Sequence, residues 1–273
     1  MQRPPPQRLS ERGHAATRAQ PVRAPAVANA FRILDYLAAQ PLGAGVSDIA
    51  RALAIGKSTC FNVLETLLAQ EAVLKDLRTA QWRLGPKLVK LGAAARRGYS
   101  YRGVLRHAVQ PLVDSHGLTC LVGQVLADHQ GIVVIDRVLP RTRHADVVSA
   151  PIGEVYGPTA PAMGRAVLAY LDDDEALLVA GRSLDLKSAA SRRAFLGKLE
   201  EIRKAGYATS LAEYAPGTHA LACVVPAHGA HPEWVLCLVG QRQQLPRSRM
   251  PALAAALMAV ARSLPGEFIT AMQ

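Results

Sequence analysis

Apolar residues at helical spacing divide the first third of the chain into short helices. The segment from about Pro25 to Gln40 predicts one amphipathic helix, which Pro41 ends because proline cannot continue a helix. A shorter helix follows, with Ser47 as a favourable N-cap residue and Ala54 as its last residue. The apolar positions of the first helix are Val27, Ala30, Phe31, Leu34 and Leu37, and those of the second are Ile49, Ala50 and Leu53.

A third helix and a β-hairpin complete this first pattern. Ile55-Gly56 forms a turn, and a helix opening at Lys57 carries an apolar stripe of Val63, Leu64, Leu67 and Leu68. Residues 72–84 then alternate as two short strands around a turn at Asp76–Thr79, with Trp82 as the predicted core anchor of the hairpin. Two helices joined by a tight turn and followed by a hairpin have the layout of a winged helix-turn-helix.

The first turn of the third helix has the chemistry of a DNA-reading surface. It is small, polar and cationic, as a recognition helix requires where its N-terminal residues meet base edges and phosphates. Asn62 can read adenine through its N6 and N7 atoms, or it contacts only phosphate. The predicted DNA-contacting residues are Ser47, Lys57, Ser58, Thr59, Asn62, Arg78 and Arg83.

The distribution of charge supports a nucleic-acid partner. The chain of 273 residues carries a formal net charge of +11. Lys and Arg outnumber Asp and Glu by 17 to 7 in residues 1–117, but only by 15 to 14 in residues 118–273. A positive balance confined to one domain is typical of a protein that binds double-stranded DNA.

The rest of the chain predicts a linker and a second, α+β domain. Residues 87–117 form a predicted linker with helices from Lys87 to Gly98 and from Val104 to His116, after a DNA-binding domain at 26–86. Residues 118–273 predict a sheet with helices segregated on one face. The predicted strands are Thr119–Leu126, Gly131–Val138, Asp146–Ala150, Leu221–Val225 and Trp234–Val239, and the helices are Pro161–Leu171, Ser191–Ala205 and Pro251–Leu264.

Composition and motifs favour a regulator over an enzyme. No run of eighteen apolar residues predicts a membrane span, and the Pro- and Arg-rich residues 1–25 predict a disordered tail rather than a secretory signal, so we expect a cytoplasmic protein. The cysteines are scattered without a C-x-x-C pair and predict buried reduced thiols. The histidines are dispersed, and the acidic run Asp172–Glu175 predicts a helix N-terminus rather than a metal cluster.

Nucleotide-binding glycine patterns and the G-x-S-x-G motif are also absent from the sequence. No catalytic residue, metal or cofactor is therefore predicted. Two alternatives to a ligand-responsive regulator stay open, namely an enzyme activity in the C-terminal domain and a ligand-independent architectural DNA-binding protein.

Six blocks in order give the chain a wider resemblance. They are A-F-R-I-L-D-Y-L, S-D-I-A-R-A-L-A-I-G-K-S-T, W-R-L-G-P, V-V-I-D-R-V, T-A-P-A-M-G-R-A-V-L-A and L-E-E-I-R-K-A-G-Y-A. Over about residues 26–270 the chain resembles the IclR family of bacterial transcriptional regulators. The resemblance implies dimers or dimers of dimers on pseudo-palindromic operators, and a GAF-like α+β domain that binds a small effector, often a carboxylic or aromatic acid.

The resemblance also implies an effector pocket in the C-terminal domain. Its implied lining comes from the loop Thr159–Gly164 and from strand positions of the facing sheet. Serines that are common in the late strand of the family are replaced here by Cys237 and Val239, which favours an effector larger or more apolar than glyoxylate or pyruvate. The candidate effector-binding residues are Ala160, Pro161, Ala162, Met163, Gly164, Ser210, Glu213, Leu221, Cys223, Cys237 and Val239.

Overall fold

A computed structural model describes residues 23–98, 102–127, 129–141, 150–226 and 231–264. The chain divides into two compact units, Met1–Ala95 and Arg96–Gln273. The first contains α1 (Pro25–Ala38), α2 (Val46–Leu53), α3 (Lys57–Ala69), β1 (Val73–Lys75) and β2 (Trp82–Leu84), and α4 (Pro86–Gly98) begins in it. In the described part of the chain, no helix is both long and apolar enough to cross a membrane.

The three helices of the first unit pack around one small core. Ile33 and Leu37 of α1 are fully buried against α3 and β2, together with Trp82, whose predicted role as core anchor is confirmed. The predicted apolar face of α1 is partly wrong, because Val27 and Phe31 are 56% and 65% exposed. The residues of α1 that pack into the core include Ile33 and Leu37, which are buried, and Leu34, which is partly buried, a spacing that includes Ile33 and not Phe31.

The start of α2 also differs from the prediction. Its N-cap is Gly45, and Ser47 is the second residue of the helix, exposed and without a capping hydrogen bond. Val46 already belongs to α2 because its side chain packs against the core of the unit. The turn to α3 runs through Ala54, which adopts the left-handed conformation with φ 52° and ψ 44°.

The wing is an antiparallel hairpin closed by an Asx-type turn. Val73 pairs with Leu84 and Lys75 with Trp82, while Ala44 adds a bridge to Trp82. Oδ1 of Asp76 accepts hydrogen bonds from the backbone N–H groups of Arg78 and Thr79 at 2.8 and 3.1 Å. Gly85 is required after β2, since a Cβ there would lie 2.3 Å from the carbonyl oxygen of Glu71.

The predicted linker is divided between the two units. α4 crosses the boundary at Ala95/Arg96, whereas α5 (Arg102–His116) belongs to the second unit. Leu105, Val109 and Val113 of α5 are fully buried in the main core of that unit. The apolar face of α5 is therefore covered within its own chain.

The second unit is built on one antiparallel sheet of six strands in the order β5-β4-β3-β8-β7-β6. The predicted hairpin of β3 and β4 is confirmed, with Cys120 paired with Val138 and a bulge beyond Val122. Two short strands, β5 and β6, were not predicted, and the predicted strand Asp146–Ala150 lies outside the described residues except for Ala150. The strands are β3 (Thr119–Val125), β4 (Ile132–Val138), β5 (Val155–Tyr156), β6 (Ala208–Leu211), β7 (Thr218–Val224) and β8 (Trp234–Gln241).

Helices cover both faces of this sheet, so the predicted segregation on one face is wrong. α5 and α9 (Met250–Ser263) pack on one face with Cys120, Leu221, Cys223 and Leu236. α6 (Met163–Leu168) packs on the other face with Leu121, Ala222, Cys237 and Val239, and α8 (Ala189–Ala205) contacts α6. The predicted helix N-terminus in the acidic run is confirmed, because Asp172 caps α7 (Asp173–Ala180) through the N–H of Glu175 at 2.8 Å.

Candidate DNA-reading surface and effector-binding site

The N-terminal unit presents the opening of α3 to solvent. Lys57, Ser58, Thr59 and Asn62 are all exposed, while Cys60 and Leu64 on the opposite side of α3 are fully buried. No side chain caps the helix at Gly56, so its first N–H groups and the positive end of its dipole remain available to an anion such as phosphate. The geometry of this turn suits contact with DNA.

The two arginines of the wing differ in the contacts that their side chains make. Arg78 lies in the exposed turn between the strands, and only its backbone N–H is used by Asp76. Nη2 of Arg83 lies 3.4 Å from Oδ2 of Asp76, with half of the Arg83 side chain exposed. Hydrogen bonds from Thr79 and Arg78 lower the pKa of Asp76, so its carboxylate is charged at neutral pH and partly offsets the charge of Arg83.

In the C-terminal unit, sheet register decides which candidates face α6. Paired residues on neighbouring antiparallel strands share a face, and successive residues alternate between faces. Ser210 pairs with Ala220, Ala220 with Val239, and Val239 with Thr119. The next row along the same face contains Ala208, Ala222, Cys237 and Leu121.

This register separates the candidate effector residues into two groups. Ser210, Cys237 and Val239 lie on the face covered by α6, with Ala162 and Met163 packed against them. Leu221 and Cys223 lie in the core on the other face of the sheet, so the structure does not bring them together with the other candidates. The residues of β7 that face α6 are Ala220 and Ala222, the neighbours of the predicted Leu221 and Cys223. Successive residues of a strand point to opposite faces, so a shift of one residue selects the opposite face.

A tight backbone turn precedes α6, so this helix begins at Met163 rather than at Pro161. Ala162 has φ 65° and ψ −82°, and the N–H of Met163 donates to the carbonyl oxygen of Pro161 at 3.1 Å, which forms a γ-turn. Ala160 and Pro161 are partly buried in this loop. Gly164 is needed for close packing, since a Cβ there would lie 2.3 Å from the carbonyl oxygen of Pro158.

Glu213 is engaged by Arg165 of α6. The guanidinium and carboxylate groups form a two-pronged pair, with Nη1 to Oε1 at 3.1 Å and a second, shorter contact between Nη2 and Oε2. The hydrogen bonds from Arg165 lower the pKa of Glu213. The ion pair therefore connects α6 to the turn after β6. A negative charge at position 213 would repel an acidic ligand.

The α6-facing side of the sheet is concave. Tyr156 is on β5 and Tyr214 follows β6, at opposite edges of the sheet, yet their ring centroids are 5.0 Å apart. The hydroxyl of Tyr214 also donates to Glu154 at 3.3 Å. The sheet must therefore curl toward α6, which brings these two tyrosines together at its rim.

Two polar groups stand out on this concave face. Ser210 is 2% exposed, and its Oγ has no hydrogen-bond partner among the described residues. Arg137 pairs with Leu121 and so shares the face of α6, where its Nη1 donates to the carbonyl oxygen of Ala150 at 3.3 Å. Arg137 was not among the predicted site residues, although it stands in the V-V-I-D-R-V block.

The cysteine thiols on both faces of the six-stranded sheet are difficult to ionise. Burial raises the pKa of Cys223 and of Cys237 to about 12, and it raises that of Cys120 well above its ordinary value. All four cysteines are buried and free of disulfides, as predicted. Cys237 thus contributes a neutral, weakly polar surface to the wall beside Val239.

A winged helix-turn-helix joined to an α+β domain with a concave, partly polar face defines a DNA-binding transcriptional regulator of the ligand-binding type. The family described as "Bacterial transcriptional regulator IclR C-terminal" matches residues 101–265, and the "IclR helix-turn-helix domain" matches residues 26–77. The chain belongs to the IclR family of transcriptional regulators. The prediction of a regulator rather than an enzyme is confirmed, since the matching domains and relatives are regulators.

Individual relatives agree with this assignment. The HTH-type transcriptional regulator XynR of Escherichia coli is 28% identical over 206 residues, which cover 74% of this chain and 80% of XynR. The crystal structure of an IclR-type regulator from Alicyclobacillus acidocaldarius has a TM-score of 0.75 at 24% identity and covers 89% of this chain and 98% of its own. An IclR homologue from Microbacterium hydrocarbonoxydans, complexed with 4-hydroxybenzoate, has a TM-score of 0.61 at 18% identity, with 88% and 98% covered.

Proposed function

We propose that this regulator binds a small organic acid with an aromatic ring on the concave face of its C-terminal sheet, and that this binding changes its affinity for DNA. The observation that carries the proposal is the buried Ser210 hydroxyl, which has no partner among the described residues, on the same face as the Arg137 guanidinium. A buried polar group without a hydrogen bond is costly, and a ligand oxygen at Ser210 would remove that cost.

The chemistry of the face favours an aromatic acid over a small aliphatic one. Arg137 supplies positive charge and further N–H donors for a carboxylate, while Ala220, Ala222, Cys237 and Val239 form an apolar surface. Tyr156 and Tyr214 add an aromatic rim against which a ring can pack. The relative that was solved with 4-hydroxybenzoate shows that a protein of this fold accepts such an acid.

The test is calorimetry on the full chain with 4-hydroxybenzoate, benzoate, glyoxylate and pyruvate as probes. We expect a benzoate to bind more tightly than either aliphatic acid. Ser210→Ala should weaken the binding about tenfold, the cost of one hydrogen bond to a charged group, and Arg137→Gln should weaken it further. Cys223→Ala is the matched control, because it removes one buried polar atom from the opposite face of the same sheet.

Two results would overturn this assignment. Equal effects of Ser210→Ala and Cys223→Ala on affinity would mean that the α6-facing side is not the site. Absence of binding by every acid, with operator affinity unchanged by their addition, would favour the alternative of a ligand-independent DNA-binding protein.

We also propose that the protein acts as a homodimer, or a dimer of dimers, on a pseudo-palindromic operator. Two-fold symmetric regulators read two half-sites, one with each recognition helix. Four large apolar side chains of the N-terminal unit support a second copy as the partner, since they are more than half exposed. They are Val27 and Phe31 on α1, and Val89 and Leu91 on α4. The apolar face of α5 does not support this proposal, because it is buried within the chain.

Light scattering on the full chain tests the assembly. We expect the mass of a dimer or a tetramer at micromolar concentration, and a smaller species for the double substitution Val27→Ser with Phe31→Ser. Leu42→Ser is the control, because Leu42 is 84% exposed in the same unit but lies in the loop between α1 and α2 rather than on α1 or α4. The mass of a single chain, with and without DNA, would contradict the proposal.

A further inference from the structure

Three side chains from distant parts of the sequence converge at one place in the C-terminal unit, outside the concave face. His129 follows β3 in the turn of the β3–β4 hairpin, Glu175 lies in the first turn of α7, and His231 precedes β8. One ligand atom from each residue lies within 4.8 Å of the other two. Their separation in the sequence explains why no motif predicts the cluster.

The distances within the cluster resemble those between ligands of one metal ion. Nε2 of His129 lies 3.5 Å from Oε1 of Glu175, and Nδ1 of His231 lies 3.6 Å from Oε2 of the same carboxylate. Ligands about 2.0–2.1 Å from a tetrahedral ion are about 3.4 Å apart. A hydrogen-bonded pair of imidazolium and carboxylate would instead close to about 2.7–2.9 Å.

The arrangement of the two rings agrees with a shared ion. The ring centroids of His129 and His231 are 5.1 Å apart with an angle of 50° between the planes, so the two rings are neighbours beside the same carboxylate. The His129 side chain is only 10% exposed and that of Glu175 is 27% exposed, while His231 is half exposed. The fold therefore holds His129 and Glu175 in place, and His231 covers the cluster on its solvent side.

We propose that His129, Glu175 and His231 bind one divalent transition-metal ion of the Zn²⁺, Co²⁺ or Ni²⁺ type. Two imidazoles and a carboxylate suit these ions, whereas Mg²⁺ and Ca²⁺ prefer oxygen ligands throughout. Three protein ligands leave a coordination position for water or for an anionic group. The bound ion joins the β3–β4 turn, α7 and the segment before β8 into one unit.

The test uses the full chain, stripped with a chelator and dialysed, and titrated with ZnCl₂ in a calorimeter. We expect one ion per chain. His129→Ala, His231→Ala and Glu175→Gln should each weaken binding by more than about 100-fold, because even residues behind the ligands contribute 10–100-fold to metal affinity. His107→Ala is the matched control, since His107 is an exposed histidine on α5 of the same unit, and it should bind normally.

Two further readouts make the result decisive. Circular dichroism of the stripped variants establishes that they are folded, and Zn²⁺ should raise the melting temperature of the parent and of His107→Ala but not that of the ligand variants. Co²⁺ should give visible d–d bands without the strong near-ultraviolet absorption of a thiolate ligand. Failure of the parent to bind an ion, or undiminished binding by the three variants, would overturn the proposal.

Discussion

Ala54 is one of three described residues other than glycine in the DNA-binding unit that have a positive φ, together with Glu71 and Ala80. It lies between α2 and α3 with φ 52° and ψ 44°. In this region an L-residue is destabilised by about 1–2 kcal/mol, and glycine is not. We expect Ala54→Gly to increase the free energy of unfolding by about 0.5–1 kcal/mol, after the entropy gained by the unfolded chain is subtracted.

Ala52 provides the matched control for this change. It is exposed in the interior of α2, where glycine costs roughly 0.5–1 kcal/mol relative to alanine. Urea unfolding monitored through Trp82 fluorescence should therefore give opposite signs for Ala54→Gly and Ala52→Gly. Destabilisation by both substitutions would contradict the left-handed assignment at Ala54.

The pair of Glu213 and Arg165 predicts a pH dependence. Because Arg165 lowers the pKa of Glu213 in the folded state, the unfolded chain binds this proton more readily. The pair therefore stabilises the fold above the unfolded pKa of about 4.3, and this contribution disappears as the pH falls through the lower folded pKa. Partial exposure limits the contribution to about 1 kcal/mol or less.

Glu213→Gln should reveal this dependence directly. Its unfolding free energy should lie below that of the parent at pH 7, and the difference should shrink below pH 4. Glu233→Gln, an exposed change just before β8, is the reference for a glutamate that does not share a cavity with Arg165. A difference that stays constant from pH 7 to pH 3 would show that the ionised pair does not contribute.

At the scale of elements, we expect different residues of α3 to position the DNA and to read its sequence. Lys57 is the first residue of the helix and is exposed, so we expect it to contact phosphate. Lys57→Ala should then weaken all sequences about equally and reduce the slope of log affinity against log salt by about one. Gel shifts with specific and random duplexes at several salt concentrations measure both effects.

Asn62 is also exposed and lies one turn after Ser58 on α3. Asn62→Ala should relax the preference at one base position, where the wild-type amide would discriminate by about 1–3 kcal/mol. A set of operators varied one base pair at a time distinguishes the two roles. Equal weakening of every operator by Asn62→Ala would mean that this residue contacts phosphate and not a base.

The elements themselves were largely predictable, whereas their exact faces were not. α3 and the β3–β4 hairpin follow from local patterns, because apolar spacing and turn residues decide them over a few residues. β5 and β6 are only two and four residues long, too short for a periodic signal.

Which residues of β7 face α6 could not be predicted from the sequence. Along β7, Ala220 and Ala222 alternate with Leu221 and Cys223, and all four are apolar. A strand covered on both faces shows no alternation of polar and apolar residues, so only its pairing with β8 decides which residues face α6. The face of Arg137 could not be predicted either, since the bulge in β3–β4 pairing changes the alternation just before it.

At the scale of the whole molecule, the proposed coupling between effector and operator requires a connection through the chain that joins the two units. α4 is one helix that begins in the first unit and ends in the second. At its end in the second unit, Nη2 of Arg96 lies 3.3 Å from Oδ1 of Asp136, which is only 5% exposed. Asp136 is the neighbour of Arg137 on β4, but it faces the opposite side of the sheet.

This arrangement places one strand between the proposed acid and the helix that leads to the DNA-binding unit. A ligand on Arg137 that shifts β4 would also move Asp136 and, through Arg96, the end of α4. Linkage requires that effector and operator change each other's affinity by the same factor, typically about 5–150-fold. Arg96→Gln should reduce this factor toward one and leave the affinity of each unit for its own ligand nearly unchanged.

The measurement is the operator affinity with and without saturating acid, together with the acid affinity with and without operator. Arg141→Gln is a suitable control, because Arg141 follows the same strand and its described contact is made by its backbone N–H to Asp114. An Arg96→Gln variant that retains the full coupling factor would show that the two sites communicate without this ion pair. If Arg96→Gln instead abolishes acid binding, no coupling can be measured. That result would assign Arg96 a role in forming the effector site.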